Sequence, residues 1–160
     1  MNYDRPHEYS DVPSKDRLHK EKLSLLVEGE VPENYDPDQI SWVTEDLGIS
    51  DWEGAVNGLK LGYFVITVAA ELNIGAQQKL AIIPGSGDVR VVLDKIVDSI
   101  EKALVKKLKV VIHCAMGMER APLAVYWYLS RVKKISLEDA FMEVKKIRPI
   151  ACNRIYWIQS

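Results

Sequence analysis

At 160 residues the chain has room for one domain with a single core, and a composition of 48% hydrophobic and 28% charged residues excludes a disordered polypeptide. No apolar run is long enough to span a bilayer, Met1-Asn2-Tyr3-Asp4-Arg5 lacks a signal-peptide core, and two cysteines, Cys114 and Cys152, exclude a disulfide framework, so a cytoplasmic setting is expected. The net charge of −2 combines 9 Lys+Arg against 18 Asp+Glu in residues 1–100 with 12 against 5 in residues 101–160, a basic end suited to an anionic substrate.

Residues 1–38, with 10 acids against 5 bases, read as a polar N-terminal arm outside the main sheet. Its one amphipathic stretch runs from Leu18 to Val27. A compact domain of residues 39–160 follows. Ile40-Ser41-Trp42-Val43 reads as a short strand and Leu47-Gly48-Ile49-Ser50 as a second. Ser50 or Asp51 suits the N-cap of a short helix near Trp52–Lys60. The continuous β-rich run Tyr63 to Ala69 predicts a strand buried on both faces. Leu80-Ala81-Ile82-Ile83 reads as another strand, stopped by Pro84-Gly85-Ser86-Gly87.

Asp88 can cap the next helix, in which Val89, Val92, Leu93, Ile96, Val97 and Ile100 recur at helical spacing through to about Lys107. Val110-Val111-Ile112 is a strand that delivers His113 and Cys114 at its C-terminal end. Pro122 is tolerated in the first turn of the helix that follows. That helix is apolar nearly all round and is expected to be central, with Trp127 and Tyr128 in the core. A further helix spans about Ser136 to Lys146, with Leu137, Ala140, Phe141 and Val144 inward, and a last helical turn follows Asn153. The alternation predicts an α/β fold with a central, mainly parallel sheet of about four or five strands flanked by helices.

The chemistry concentrates in His113-Cys114-Ala115-Met116-Gly117-Met118-Glu119-Arg120. A strand running through a tight loop into a helix aims several backbone N–H groups at one point, and the helix dipole adds positive potential there. Cys114 is therefore expected as a thiolate. Arg120 can hold two phosphoryl oxygens with its planar fork, and Gly117 can supply the backbone angles that turn the amides inward. The reaction such a loop suits is phosphoryl transfer to sulfur, then hydrolysis of the cysteinyl phosphate. There is no zinc knuckle and no basic–aromatic interleaving, so a nucleic-acid partner is not expected. Nor do the cysteines show metal-ligand spacing.

His-Cys-x-x-Gly-x-x-Arg in this setting resembles the signature loop of the cysteine-dependent dual-specificity and tyrosine phosphatases. The segments Trp42 to Ser50 and Gly62 to Glu71 are similar to the opening strands of the dual-specificity class, and Arg148-Pro149, Asn153 and Gln159 match its C-terminal segment. The resemblance covers roughly residues 40–160. It implies a phosphotyrosine phosphatase-like fold with Cys114 as nucleophile, Arg120 as phosphate clamp and Cys114, Ala115, Met116, Gly117, Met118, Glu119 and Arg120 as the binding loop. His113 would support the thiolate through hydrogen bonds to the loop, and Asn153 would bond to loop backbone. The substrate implied is a phosphorylated protein, carrying phosphotyrosine with phosphoserine or phosphothreonine as further targets, and no cofactor or metal is implied. A phosphoinositide or phosphoglucan phosphatase and a phosphate-binding pseudophosphatase are the alternatives.

A general acid is also required, and Asp88 is the one carboxylate of Pro84 to Asp88; it reads either as that acid or as a helix cap only. Ala121 stands where the family usually has Ser or Thr, although plant glucan phosphatases also read Arg-Ala-Pro here. Losing that hydroxyl's hydrogen bond, about 1–1.5 kcal/mol, would slow hydrolysis of the intermediate roughly tenfold. Glu119 is expected to point outward, with a role as alternative proton donor left open. Cys152 reads as a buried unpaired thiol or as a disulfide partner of Cys114. The acidic arm is expected to pack on or near the active-site face.

Overall fold

The computed structural model describes residues 31–158, so the stretch Leu18 to Val27 and Gln159 lie outside the described residues. One five-stranded sheet has the order β1-β2-β5-β3-β4, formed by β1 Ser41–Trp42, β2 Leu47–Ser50, β3 Phe64–Thr67, β4 Gln78–Lys79 and β5 Val110–His113. β1 runs antiparallel to β2, and every other neighbouring pair is parallel. The helices are α1 Trp52–Lys60, α2 Val89–Val105, α3 Arg120–Lys133 and α4 Leu137–Ile147, followed by a 3₁₀ turn at Ile155–Trp157.

Side chains alternate across the central strands, and that alternation makes two cores. Val110, Ile112 and Ile66 face the large cluster with α2, α3 and α4, while Val111 and Val65 face Ala55 of α1. Both faces of β5 are covered, which is why its run of Val and Ile is continuous rather than alternating with polar residues. α3 packs against α4, α2 and β5, and Arg120 through Leu129 are all buried, Trp127 and Tyr128 among them. On α2 the buried set is Val89, Leu93, Ile96, Val97, Ile100 and Ala103. Fully burying each larger member contributes about 1.5–3 kcal/mol.

Two local expectations are corrected. Leu80–Ile83 is not the fourth strand; the polar pair Gln78–Lys79 is, and the apolar residues only continue along the end of β3 through Leu80 N to Thr67 O (2.8 Å) and Ile82 N to Val68 O (3.0 Å). The edge position explains the mismatch: an edge strand needs backbone pairing on one side, not an apolar side-chain pattern. Asp88 occupies the residue before α2, but its side chain makes no capping bond and is exposed. By contrast Asp51 caps α1 by accepting from Gly54 N at 2.8 Å, and Ser136 caps α4 by accepting from Asp139 N at 3.0 Å.

Candidate active site

Parallel strands end together, so β2, β5 and β3 bring Ser50, His113 and Thr67 into register at one edge of the sheet. His113 is fully buried there. Its Nδ1 lies 3.0 Å from Cys114 O, and a carbonyl oxygen only accepts, so Nδ1 carries the hydrogen. Nε2 must then accept, and it does so from the Thr67 hydroxyl at 2.7 Å. Burial pushes the His113 pKa down to about 4, which keeps the ring neutral and suits it to anchoring the loop rather than moving protons.

The loop that follows has all its carbonyls bound from outside. Cys114 O accepts from His113 Nδ1 and Ala115 O accepts from Trp52 N at 3.2 Å. Met116 O and Gly117 O accept from Arg148, and Met118 O accepts from Cys152 N at 2.7 Å. The peptide bonds are trans, so each N–H points opposite to the carbonyl of its own peptide unit. Five carbonyls drawn outward therefore turn five successive amides, from Ala115 to Glu119, toward the opposite side: a nest for an anion.

Arg148 holds two of these five carbonyls and ties them to a distant stretch of chain. It is fully buried, and its guanidinium donates to Gly117 O (Nε, 2.7 Å), Met116 O and Pro37 O (Nη2, 3.1 and 3.0 Å), and Ser41 Oγ and Gln39 O (Nη1, 3.0 and 3.4 Å). Gly117 is required beside it on two grounds. Its φ is +70°, and a Cβ there would sit 2.5 Å from Arg148 Nη2 and 2.8 Å from Ser50 O.

On the other side of the loop Cys114 Sγ is buried at the start of α3 and accepts from Ala121 N at 3.4 Å. Arg120 is also buried, and its Nη1 and Nη2 donate to Glu71 Oε1 and Oε2, each at 2.8 Å. Burial works against the Glu71 carboxylate, but the two bonds and the charge of Arg120 outweigh it and hold its pKa below the usual range. Ala115, Met116 and Met118 turn their side chains into a small apolar cluster with Ile150 and Cys152, against which Val31 and Tyr35 pack. The described end of the acidic arm thus lies against the loop.

One expectation changes here. Glu119 does not point outward: it is 7% exposed and accepts from Arg154 Nε at 2.7 Å, an ion pair that holds the C-terminal segment against the loop. Asn153 Oδ1 accepts from Ile155 N at 3.0 Å and opens the 3₁₀ turn, while the neighbouring Cys152 N supplies the bond to Met118 O. Cys114 and Cys152 are both buried with no disulfide between them, in line with the reading of Cys152 as a buried thiol rather than a disulfide partner. Asp88 lies outside the loop's hydrogen-bond network, on a loop at the same C-terminal edge of the sheet.

Sequence reasoning missed Thr67, Glu71, Arg148 and Arg154 as parts of this site. Arg148 stood in the Arg148-Pro149 match, and Glu71 had a further signal, a carboxylate just beyond the C-terminal end of a buried parallel strand.

Comparison with known proteins agrees with this geometry. Residues 73–160 match the model of the family described as "Dual specificity phosphatase, catalytic domain". The protein 123R of Invertebrate iridescent virus 6, named as a tyrosine phosphatase, is 38% identical over 65 residues; the match covers 41% of this chain and about half, 46%, of that relative. Human DUSP28 superposes with a TM-score of 0.63 at 20% identity, over 82% of this chain and 93% of that one. The human tyrosine phosphatase-like serine/threonine/tyrosine-interacting protein superposes with a TM-score of 0.64 at 17% identity, over 75% and 91%. At such identities these two likenesses concern the fold alone, whereas the family match takes in α2, β5, the whole loop, α3 and α4. The chain belongs to the dual specificity phosphatase family.

Proposed function

We propose that this protein is a cysteine-dependent phosphatase that hydrolyses phosphotyrosine, with phosphoserine and phosphothreonine as further substrates, through a cysteinyl-phosphate intermediate. The observation that carries this reading is the loop itself. Five outward-bound carbonyls leave an amide nest that begins at Cys114, and Arg120, paired with Glu71, closes the loop.

The phosphoryl group enters the nest, where the amides and the positive end of α3 neutralise its equatorial oxygens. The end-on pair with Glu71 engages the two terminal nitrogens of Arg120. A phosphoryl group takes the side edge of the guanidinium, Nε and one terminal nitrogen, so Glu71 orients the fork that receives it. The Cys114 thiolate attacks phosphorus in line, and the bond from phosphorus to the leaving oxygen breaks. Asp88 gives its proton to that oxygen. Its carboxyl is exposed and makes no capping bond, which favours the acid over the cap. Water then attacks phosphorus, Asp88 takes up the proton, the S–P bond breaks and the thiolate returns. Ala121 offers Sγ a backbone N–H but no hydroxyl, so this second step is the slow one.

The test is turnover of para-nitrophenyl phosphate, then a phosphopeptide panel run beside phosphoinositides and phosphoglucan. Activity above a Cys114→Ser control is expected, with phosphotyrosine peptides leading the panel. No turnover above that control would end the enzymatic reading, and a preference for lipid or glucan would overturn the substrate class. Replacing Asp88 by Asn is expected to cost about 10²–10⁴-fold on phenolic substrates, and an unchanged rate would remove it as the acid.

A further inference from the structure

Beneath the loop two carboxyl groups each bury an oxygen that has no hydrogen-bond donor. Asp51 is 1% exposed; its Oδ1 accepts from Gly54 N, and its Oδ2 has no hydrogen-bond partner. Asp38 Oδ1 is equally sealed and equally lacks a donor, and the Asp38 carboxyl lies within hydrogen-bonding contact of Asp51. As two carboxylates these oxygens are buried acceptors of like charge with nothing to accept, an arrangement proteins rarely tolerate. A single proton between them makes an O–H···O⁻ bond and satisfies both at once.

Charge leads to the same count. Among the described residues the cation that faces the pair is Arg148, and a further acid, Asp36, is tied to the same segment, its Oδ1 accepting from Asp38 N at 3.0 Å. A pair with one proton sets one negative charge against Arg148. With no proton it would exceed that cation, and with two it would leave Arg148 buried without a counter-charge. Burial, and then the Asp38 contact, push the Asp51 pKa up to about 9, against the opposing pull of Arg148 and the Gly54 N–H.

The pair also sits where it can act on the loop. Asp38 lies between Pro37 and Gln39, whose carbonyls seat Arg148, and its own carbonyl abuts Gly54, where a Cβ would come within 2.6 Å. Asp51 caps α1, whose first N–H, Trp52 N, holds Ala115 O.

We propose that Asp38 and Asp51 share one proton, and that this pair positions the phosphate loop by locking the segment that seats Arg148 to the helix that holds Ala115. Both are positioning residues, acting through Arg148 and Trp52. The inference rests on residues 114–120 binding phosphate, as proposed above. Its consequence is an alkaline limit: removing the proton sets two buried charges against each other and loosens the seat of the loop.

Two measurements test it. Carbon-13 NMR of aspartate-labelled protein follows the carboxyl groups from acidic to alkaline pH. One aspartate is expected to titrate only in the alkaline range and to vanish from that range in Asp51→Asn; every aspartate titrating as an ordinary acid would overturn the shared proton. The second is the affinity for tungstate, a phosphate mimic that stays dianionic in alkali. Asn at position 51 still accepts from Gly54 N and donates a permanent N–H to Asp38 Oδ1. The wild type is expected to lose roughly tenfold in affinity across the alkaline titration while Asp51→Asn holds its own. Asp51→Ala, which offers neither bond, is expected to bind more weakly at every pH. Equal alkaline losses in wild type and Asp51→Asn would overturn the positioning role, and that comparison decides it even if the alanine variant fails to fold. Neither measurement reads turnover, so a protein inactive on aryl phosphates would sink the phosphatase reading and leave this one standing. A wild type that binds no tungstate at any pH would sink the positioning role together with the loop reading, and the shared proton would still be decided by NMR.

Discussion

Replacing Arg148 by Lys keeps the charge and removes the fork, which isolates what the geometry of the guanidinium contributes. The native side chain satisfies five acceptors drawn from two separate stretches of chain, Pro37 to Ser41 and Met116 to Gly117. An ammonium has three N–H donors on one nitrogen and cannot span both stretches from a single position. Two or three buried acceptors are then left without donors, at about 1–3 kcal/mol each, for a loss of roughly 3–5 kcal/mol. In a domain of this size that is a fall in Tm of roughly 6–20 °C. Equilibrium urea unfolding at neutral pH measures the loss directly. Tungstate affinity measured well below the unfolding midpoint reads the loop separately, because Met116 O and Gly117 O are no longer drawn outward. A loss under about 1 kcal/mol with unchanged affinity would refute the claim that Arg148 holds the loop open.

Gly117→Ala places a Cβ at positive φ and 2.5 Å from Arg148 Nη2, so tungstate binding is expected to be lost with a destabilisation of at least about 1–2 kcal/mol, read by titration and unfolding. Glu71→Gln removes the charge that orients Arg120, and kcat/KM on an aryl phosphate is expected to fall about tenfold to a hundredfold; an unchanged value would leave Glu71 without a role in the site. His113, with a pKa of about 4 against an ordinary 6.5, contributes stability that is full above pH 6.5 and is lost as pH falls toward 4. That slope, of order 3 kcal/mol over the interval, is expected in urea unfolding of the wild type and absent in His113→Asn. Ala121→Ser restores a hydroxyl beside Sγ and is expected to raise kcat by up to about tenfold, while the absence of a product burst in wild type together with an unchanged kcat in the variant would place the slow step elsewhere.

Much of the fold was legible because the signals were local. The apolar spacing of α2, the continuous run of β5 and the all-round apolar character of α3 each follow from neighbours along the chain, and each element lies where those patterns place it. The failures were at positions where tertiary pairing overrode pattern. Gln78–Lys79 is a strand because β3 offers it a free edge, not because its side chains have strand character. Glu119 looked like a surface acid and is buried, because Arg154 arrives from the C-terminal segment to neutralise it. Asp88 read either as a general acid or as a helix cap, and its side chain makes no capping bond.

The sequence by itself determined the chemistry of the site: a thiol and a guanidinium six positions apart, placed by a buried strand at the mouth of a helix, with a glycine where the turn demands positive φ. These are relations within one short stretch, and the period of strand and helix transmits them directly. What only the tertiary structure decided is what holds that stretch in shape. Arg148 reaches Pro37 across 111 positions, Glu71 meets Arg120 across 49, and His113 meets Thr67 across 46. No periodicity links residues so far apart. Their partnership comes from the packing of sheet and helices, and the demand that every buried polar group find a partner then fixes which of them meet.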